Sequence, residues 1–294
     1  MVQKRSAGEI VFDIFNVLFM LLLVFVTLYP LYYVAMCSIS DSGQLMGSRG
    51  MMLLPKGFSL AAYQAVFSNP NILSGYRTTL IVVVFGTAIS VMMTSIAAFL
   101  ITRKQFAIRK VMAYMMVFTM FFTGGMIPTY LMVYKWLHLG NTLWALILPT
   151  AISTYNMIIM KSNFESLPDS LEEAAKIDGA NDITVLFRII LPLSLPIIAV
   201  MVLFYGVAQW NSWFQAMLYI QDRSKYPLQL ILREVLLMND TSGMGATAAA
   251  GDQYMLGESI KYATIMVATV PILFVYPFIQ KYFVKGIMVG AVKG

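Results

Sequence analysis

Charge is scarce in this sequence. Asp, Glu, Lys and Arg make up only 12% of its 294 residues, about half the share usual in a soluble domain. Set against 59% hydrophobic residues and a mean hydropathy of +0.75, that scarcity excludes a water-soluble fold and makes lipid the solvent. Cysteine is nearly absent too. Cys37 stands alone, so no intrachain disulfide can form, and the bulky Met36 directly before it excludes lipoprotein-type processing. The one histidine, His138, lies between Leu137 and Leu139. With no His/Asp/Glu constellation around it, neither a metal site nor an acid–base catalyst is expected. The Gly-x4-Gly-Lys-Ser/Thr phosphate loop is missing. Basic runs interleaved with aromatics are missing as well, so the net charge of +6 points to membrane topology rather than to nucleic acid.

What is present is a set of long apolar runs. Lys4 and Arg5 precede the first, but the run from about Ile14 to Met36 exceeds a signal-peptide core of roughly 7–15 residues, and no small-x-small cleavage site follows. It reads as a retained helix. Six spans are expected: about Val11 to Ser38, Thr79 to Thr102, Val111 to Tyr134, Leu143 to Met160, Leu193 to Ile220 and Tyr262 to Phe283. The third is interrupted by Gly124, Gly125 and Pro128, which suit either a kink or close helix packing.

Lysine and arginine set the orientation. The short connection from Arg103 to Lys110 also holds Lys104 and Arg109, and short loops weigh most in this rule. Both termini are therefore expected on the cytoplasmic side. The chain reads as one all-α transmembrane domain, 1–294. Residues 1–10 and 284–294 form cytoplasmic ends, 39–76 and 221–261 are external, and 166–192 is cytoplasmic.

The segment 166–192 differs from everything around it. Pro168 suits the first turn of a helix, and Asp169, Glu172 and Glu173 suit its positive N-terminal end. Ala174 and Ala175 are small, strong helix formers. Gly179 stops the helix. Asn181 or Asp182 then caps a second helix, which Pro192 ends before the next span. The product is two short helices joined by a sharp turn, with a small-residue surface flanked by carboxylates.

Glu173-Ala174-Ala175, three residues, Gly179, nine residues, then Ile189, Ile190, Leu191 and Pro192 resembles the EAA loop of ABC importer permeases without a gap. Gly75-Tyr76-Arg77-Thr78-Thr79-Leu80 resembles the start of the transporter core in carbohydrate permeases of the maltose-transporter type. The stretches Phe122 to Tyr130 and Asn141 to Pro149 look like the branch handling oligosaccharides and complex glycans. The chain is thus similar to the six-helix, MalG-like member of a permease pair.

That resemblance implies a type I ABC importer permease fold in the bacterial cytoplasmic (inner) membrane, a sugar delivered by an extracytoplasmic binding protein, and a second, MalF-like permease. It also implies two ABC ATPase subunits, each holding one EAA helix. ATP and Mg are bound there, and no cofactor is bound by this chain, which is not an enzyme. The coupling residues it implies are Glu173, facing a basic residue of the ATPase, with Ala174, Ala175, Asp178, Gly179, Ile189, Leu191 and Pro192. In maltose-type relatives the loop before the last span probes the binding protein. Here that place holds Thr241 to Gly251, with Gly243, Gly245 and Gly251, which reads equally as a loop tip.

A sugar path needs flat aromatics and amides. The best local cluster is Trp210, Asn211, Trp213 and Gln215, where helical spacing puts Trp210, Trp213 and Met217 on one face and Asn211 and Gln215 on another. Phe121 and Tyr130 stand near the glycines of the third span. An interfacial aromatic belt is the competing reading for the tryptophans. A non-sugar solute remains open, and so does an ATP-independent channel or secondary transporter. Such carriers place ionisable residues within spans, and these spans are almost free of them.

Overall fold

The computed structural model describes residues 6–46, 50–242, 258–275 and 277. Among them every regular element is helical, with one isolated bridge between Ser40 and Phe58. Three helices are long and apolar enough to cross a membrane unaided: α1 (Ala7–Ser38), α4 (Pro70–Thr102), which follows the short helices α2 (Ser42–Met46) and α3 (Ala61–Ser68), and the helix Glu258–Val275. Two bent pairs pass only together. Arg109–Phe121 meets Met126–Trp136 at 118°, and Asp182–Leu193 meets Leu195–Trp210 at 87°. The described residues therefore supply three to five candidate spans, where six were expected. The first five residues and those from 278 onwards, including the expected cytoplasmic tail, lie outside the described residues.

Each departure has a local cause. α4 starts at Pro70 rather than at Thr79, because proline at the first helical position loses nothing by lacking an N–H. The third run splits into α5 (Arg109–Phe121) and α6 (Met126–Leu131), continued by a π turn over Met132–Trp136. Gly125 at the break has φ +83°, a conformation that favours glycine. The fourth run is not one helix. α7 (Trp144–Ile147) passes into a 3₁₀ turn over Leu148–Thr150, and α8 (Thr154–Glu165) starts afresh, capped by Ser153. Pro149 removes a backbone donor inside that run. The fifth run forms α12 (Leu195–Trp210), stops, and resumes as α13 (Phe214–Tyr219). At the stop, Asn211 Nδ2 donates to the Val207 carbonyl at 2.9 Å and Ser212 Oγ to the Gln209 carbonyl at 2.8 Å. Side chains there take carbonyls at the helix end.

Contacts divide the chain into two compact units, Met1–Asn69 with Glu234–Thr269, and Pro70–Arg233 with Val270–Gly294. In the first, α1 is apolar on all sides and its most hydrophobic window buries nothing. Its last turns form a small cluster in which Cys37, Leu45 and Met52 are buried against Tyr33 and Tyr262.

In the second unit α4 is the central helix, packed on α12 and α8. Its contact face is small and polar: Thr79, Ser90, Thr94, Ser95, Ala97 and Ala98 are all buried. Small residues let helix backbones approach closely in lipid. The Thr94 and Tyr205 hydroxyls share a hydrogen bond of 2.6 Å, and Tyr205 Oη accepts the Ser153 N–H at 3.0 Å. Gln209 Nε2 donates to Thr150 Oγ1 at 3.0 Å. These bonds tie α12 to α4 and to the break before α8.

Gly75 is the tightest point on the other end of α4. A Cβ there would lie 2.6 Å from Ile231 Cδ1 and 3.2 Å from the Leu228 Cα. Gly75→Val is expected to destabilise this packing by roughly 1–3 kcal/mol. The thermal midpoint of the detergent-purified protein should fall, whereas Gly124→Ala, whose Cβ meets nothing nearer than 4.0 Å, should leave it unchanged.

Candidate coupling surface and membrane cavity

The acidic insert folds as its residue types dictate. Pro168 precedes α9 (Asp169–Ile177), with Asp169 and Glu172 in its first turn. Gly179 has φ +81°. Its N–H donates to the Lys176 carbonyl at 3.0 Å, and the Ala180 N–H donates to the Ala175 carbonyl at 2.9 Å. This pair of bonds is the Schellman closure of a helix by a left-handed residue. Asn181 then caps α10 (Asp182–Val185), its Oδ1 accepting the Thr184 N–H at 2.8 Å.

Pro192 does not end the second helix. The helical path runs from α10 through a π turn over Leu186–Ile190 into α11 (Leu191–Leu193) and bends only at Ser194. The wider π turn gives the proline ring room that an α turn lacks.

The two glutamates of the insert divide the work. Glu173 and Ala174 face outward, while Ala175 is buried in the core with Val185, Leu186 and Ile190. Ile189 and Leu191 pack against that core. Glu172, beside Glu173, turns inward. It pairs with Arg103 at the end of α4, and its other oxygen lies 2.8 Å from Lys176 Nζ. The Arg103 guanidinium also sits 4.0 Å over the Phe99 ring. Burial pushes the Arg103 pKa below its ordinary value, and the nearby Asp182 and Asp169 carboxylates draw it back up. Lys104 adds a second link, 3.3 Å from Asp169 Oδ2. The loop after α4 thus holds α9 through adjacent cations.

Sequence reasoning named Glu173 and missed Glu172 and Arg103. Their only sequence signal is an acidic helix start and a basic loop 65 or more residues apart, with nothing to pair them. It also missed an apolar face. Ile177 is 86% exposed and Ile183 70% exposed, one on each side of the Gly179 turn, with the C-capping Asp178 and Gly179 exposed between them.

The second candidate region lies where α12 stops. Asn211, Trp213 and Gln215 line a cavity of about 490 Å³, joined by Ser153, Asn156, Tyr205 and Gln209. Trp210 does not share it. The helix ends at that residue, so helical spacing no longer relates it to Trp213. Trp210 is buried beside Tyr76 and lines a separate apolar cavity of about 670 Å³ with Leu80, Val84 and Val207. The break thereby brings Trp213 onto the side of Asn211 and Gln215, which regular helical spacing had kept apart.

Phe121 is exposed at the end of α5. Tyr130 stacks between Tyr134 at 5.2 Å and Tyr219 at 5.9 Å. Neither lines the cavity. Gly243, Gly245 and Gly251 lie outside the described residues.

Asn141 holds the turn before α7 against the segment after α13. It adopts φ +57°, its N–H donates to the Tyr219 carbonyl at 2.7 Å, and its Oδ1 accepts the Gln221 and Asp222 N–H groups. Ser224 donates to Asp222 from both hydroxyl and backbone, which holds that carboxyl below its ordinary pKa.

Arg103→Met leaves Glu172 partly buried without its guanidinium, a loss of about 1–3 kcal/mol. It should lower the thermal midpoint of the purified protein, whereas Glu173→Gln, at an outward-facing position, should change stability by less than about 0.5 kcal/mol.

The model of the family described as "Binding-protein-dependent transport system inner membrane component" matches residues 90–289. Protein LplC of Bacillus subtilis (strain 168) is 44% identical over 296 residues, 99% of this chain and 98% of that protein. The polygalacturonan/rhamnogalacturonan transport system permease protein YtcP of the same organism is 43% identical over 288 residues, 96% of this chain and 98% of that protein. A chain in the crystal structure of a bacterial ABC transporter involved in the import of the acidic polysaccharide alginate superposes with a TM-score of 0.86. It is 28% identical, and the match covers 96% of this chain and 100% of that chain. On the match to residues 90–289 and on near full-length identity above 40%, this chain belongs to the binding-protein-dependent transport system inner membrane components, the permeases of ABC transporters.

Proposed function

We propose that the chain is one of two permeases of an ATP-driven oligosaccharide importer in the bacterial cytoplasmic membrane. The observation that carries the ATP-driven part is the Gly179 turn. It closes α9 and leaves Glu173, Ala174, Ile177 and Ile183 outward, a small-residue and apolar surface that a groove on an ATPase subunit could accept closely. A second, MalF-like permease completes the path, and two ATPases bind ATP and Mg. Closure of the ATPase dimer moves the insert as a rigid body, which is how packed bundles switch between discrete states. An extracytoplasmic binding protein delivers the sugar and meets the loop containing Gly243, Gly245 and Gly251.

The substrate class rests on relatives. Besides the polygalacturonan/rhamnogalacturonan permease, the diacetylchitobiose uptake system permease protein NgcG of Streptomyces coelicolor (strain ATCC BAA-471 / A3(2) / M145) is 26% identical over 260 residues. The mixed amide and aromatic lining of the 490 Å³ cavity suits a polyhydroxylated ligand, and its volume lies in the usual range of ligand pockets. Six spans with both termini cytoplasmic put the insert on the ATPase side. In this reading the broken segment from α7 to α8 is the fourth span.

The double variant Glu173→Ala, Gly179→Val tests the coupling. Valine is strained at φ +81°, so the turn is lost together with the exposed carboxylate. Uptake of labelled oligosaccharide by cells carrying the full importer should fall more than tenfold, with ATPase subunits no longer co-purifying. Unchanged ATP-coupled uptake would overturn the reading.

A further inference from the structure

The apolar cavity beside Trp210 does not stand alone. A hollow of about 710 Å³ adjoins it, lined by Leu73, Ser74, Arg77 and Ile81, and the two share Tyr76 and Leu80. Along α4 the apolar cavity runs from Tyr76 to Ala88, about 18 Å of helix at 1.5 Å per residue. That is close to the depth of one leaflet, half of a hydrocarbon core about 30 Å thick. Its walls are aliphatic: Val84 on α4, Val202 and Leu203 on α12, and Ile272. Leu80 and Val84 are 52% and 60% exposed, so the groove is open along its length.

A cation stands at one end of it. The 33 residues of α4 make a rod of about 50 Å, which overhangs the hydrocarbon core by about 10 Å at each end when centred in it. Arg77 lies about 10 Å along the helix from its start at Pro70, at the boundary between hydrocarbon and headgroups. The edge-on pair of Tyr76 and Trp210, with ring centroids 6.4 Å apart, marks the same level, because such amphipathic rings collect at headgroup depth. Arg77 is exposed, and the ion pairs among the described residues join other cations. An arginine near a helix end in lipid turns its head to the interface, where its planar fork matches a phosphate bidentately. An apolar helix laid in the groove would cover the aliphatic walls and leave this cation without a counter-charge. An amphiphile with an anionic head and a long chain satisfies both.

We propose that the groove from Tyr76 to Ala88 binds one acyl chain of an anionic phospholipid whose phosphate pairs with Arg77. The site belongs to the permease in its membrane and does not depend on which solute is carried.

The test is native mass spectrometry of the purified transporter complex, with phosphatidylglycerol and phosphatidylcholine of identical chains supplied in equal amounts. The wild type should retain phosphatidylglycerol about fivefold over phosphatidylcholine. Arg77→Gln should erase that preference, and Arg77→Lys should keep part of it. Val84→Trp, which fills the groove, should lower retention of both lipids. Equal retention of the two lipids by the wild type overturns the proposal, as does a preference that survives Arg77→Gln. Displacement of the lipid by excess glycerol 3-phosphate would mean a phosphate site without a chain groove, and overturns it as well. Val84→photoleucine supplies a second measurement, independent of whether the tryptophan variant folds. On irradiation it should label phospholipid, whereas labelling of a second permease puts a protein helix in the groove and overturns the proposal.

Discussion

Every backbone N–H and C=O placed in lipid must find a partner within the protein, and this structure depends on how that demand is met. An unbroken helix meets it automatically, as α4 does. The breaks meet it with side chains. Thr129 Oγ1 donates to the Gly125 carbonyl, Thr150 Oγ1 reaches back to the Leu146 and Ile147 carbonyls, and Asn211 and Ser212 serve those of Val207 and Gln209. Irregular backbone at membrane depth is tolerated where it is packed in protein or lines a cavity. Two of these breaks, 151–153 and 211–213, border the one that contains Trp213.

One packed core joins that cavity to the acidic insert. Ala175, Val185, Leu186 and Ile190 of the insert belong to the same buried cluster as Phe99 of α4 and Met201 and Tyr205 of α12. Tyr205 also lines the cavity. Close-packed interiors shift between discrete arrangements rather than deforming smoothly. A displacement of α9 therefore has a contiguous route to the cavity wall. The pairing of Glu172 with Arg103 anchors α9 to the end of α4 at one side of that core.

Legibility followed the range of the interactions. The Gly179 turn and a cap at Asn181 or Asp182 were readable because each is set by a residue and its neighbours within four positions, and the structure gives the cap to Asn181. The π turn that carries the helix past Pro192 was not, because proline alone reads as a terminator. Trp210 and Trp213 were grouped by helical spacing, and that reading failed where two side chains ended the helix between them. Asn156, Gln209 and Tyr205 were invisible as a group. Tyr205 and Gln209 lie one turn apart on α12 and Asn156 lies on α8, and nothing in the sequence pairs those two segments.

By itself the sequence determined the solvent, the helical character, the acidic helix–turn–helix insert and the family resemblance. These depend on composition and short-range pattern, and lipid leaves a chain of this hydropathy few alternatives to helix. Only the tertiary structure decided where the helices break, which tryptophan meets the amides, and which of two adjacent glutamates turns inward. Those outcomes are fixed by partners such as Arg103, in the loop after α4, for Glu172 on α9, which meet only after packing.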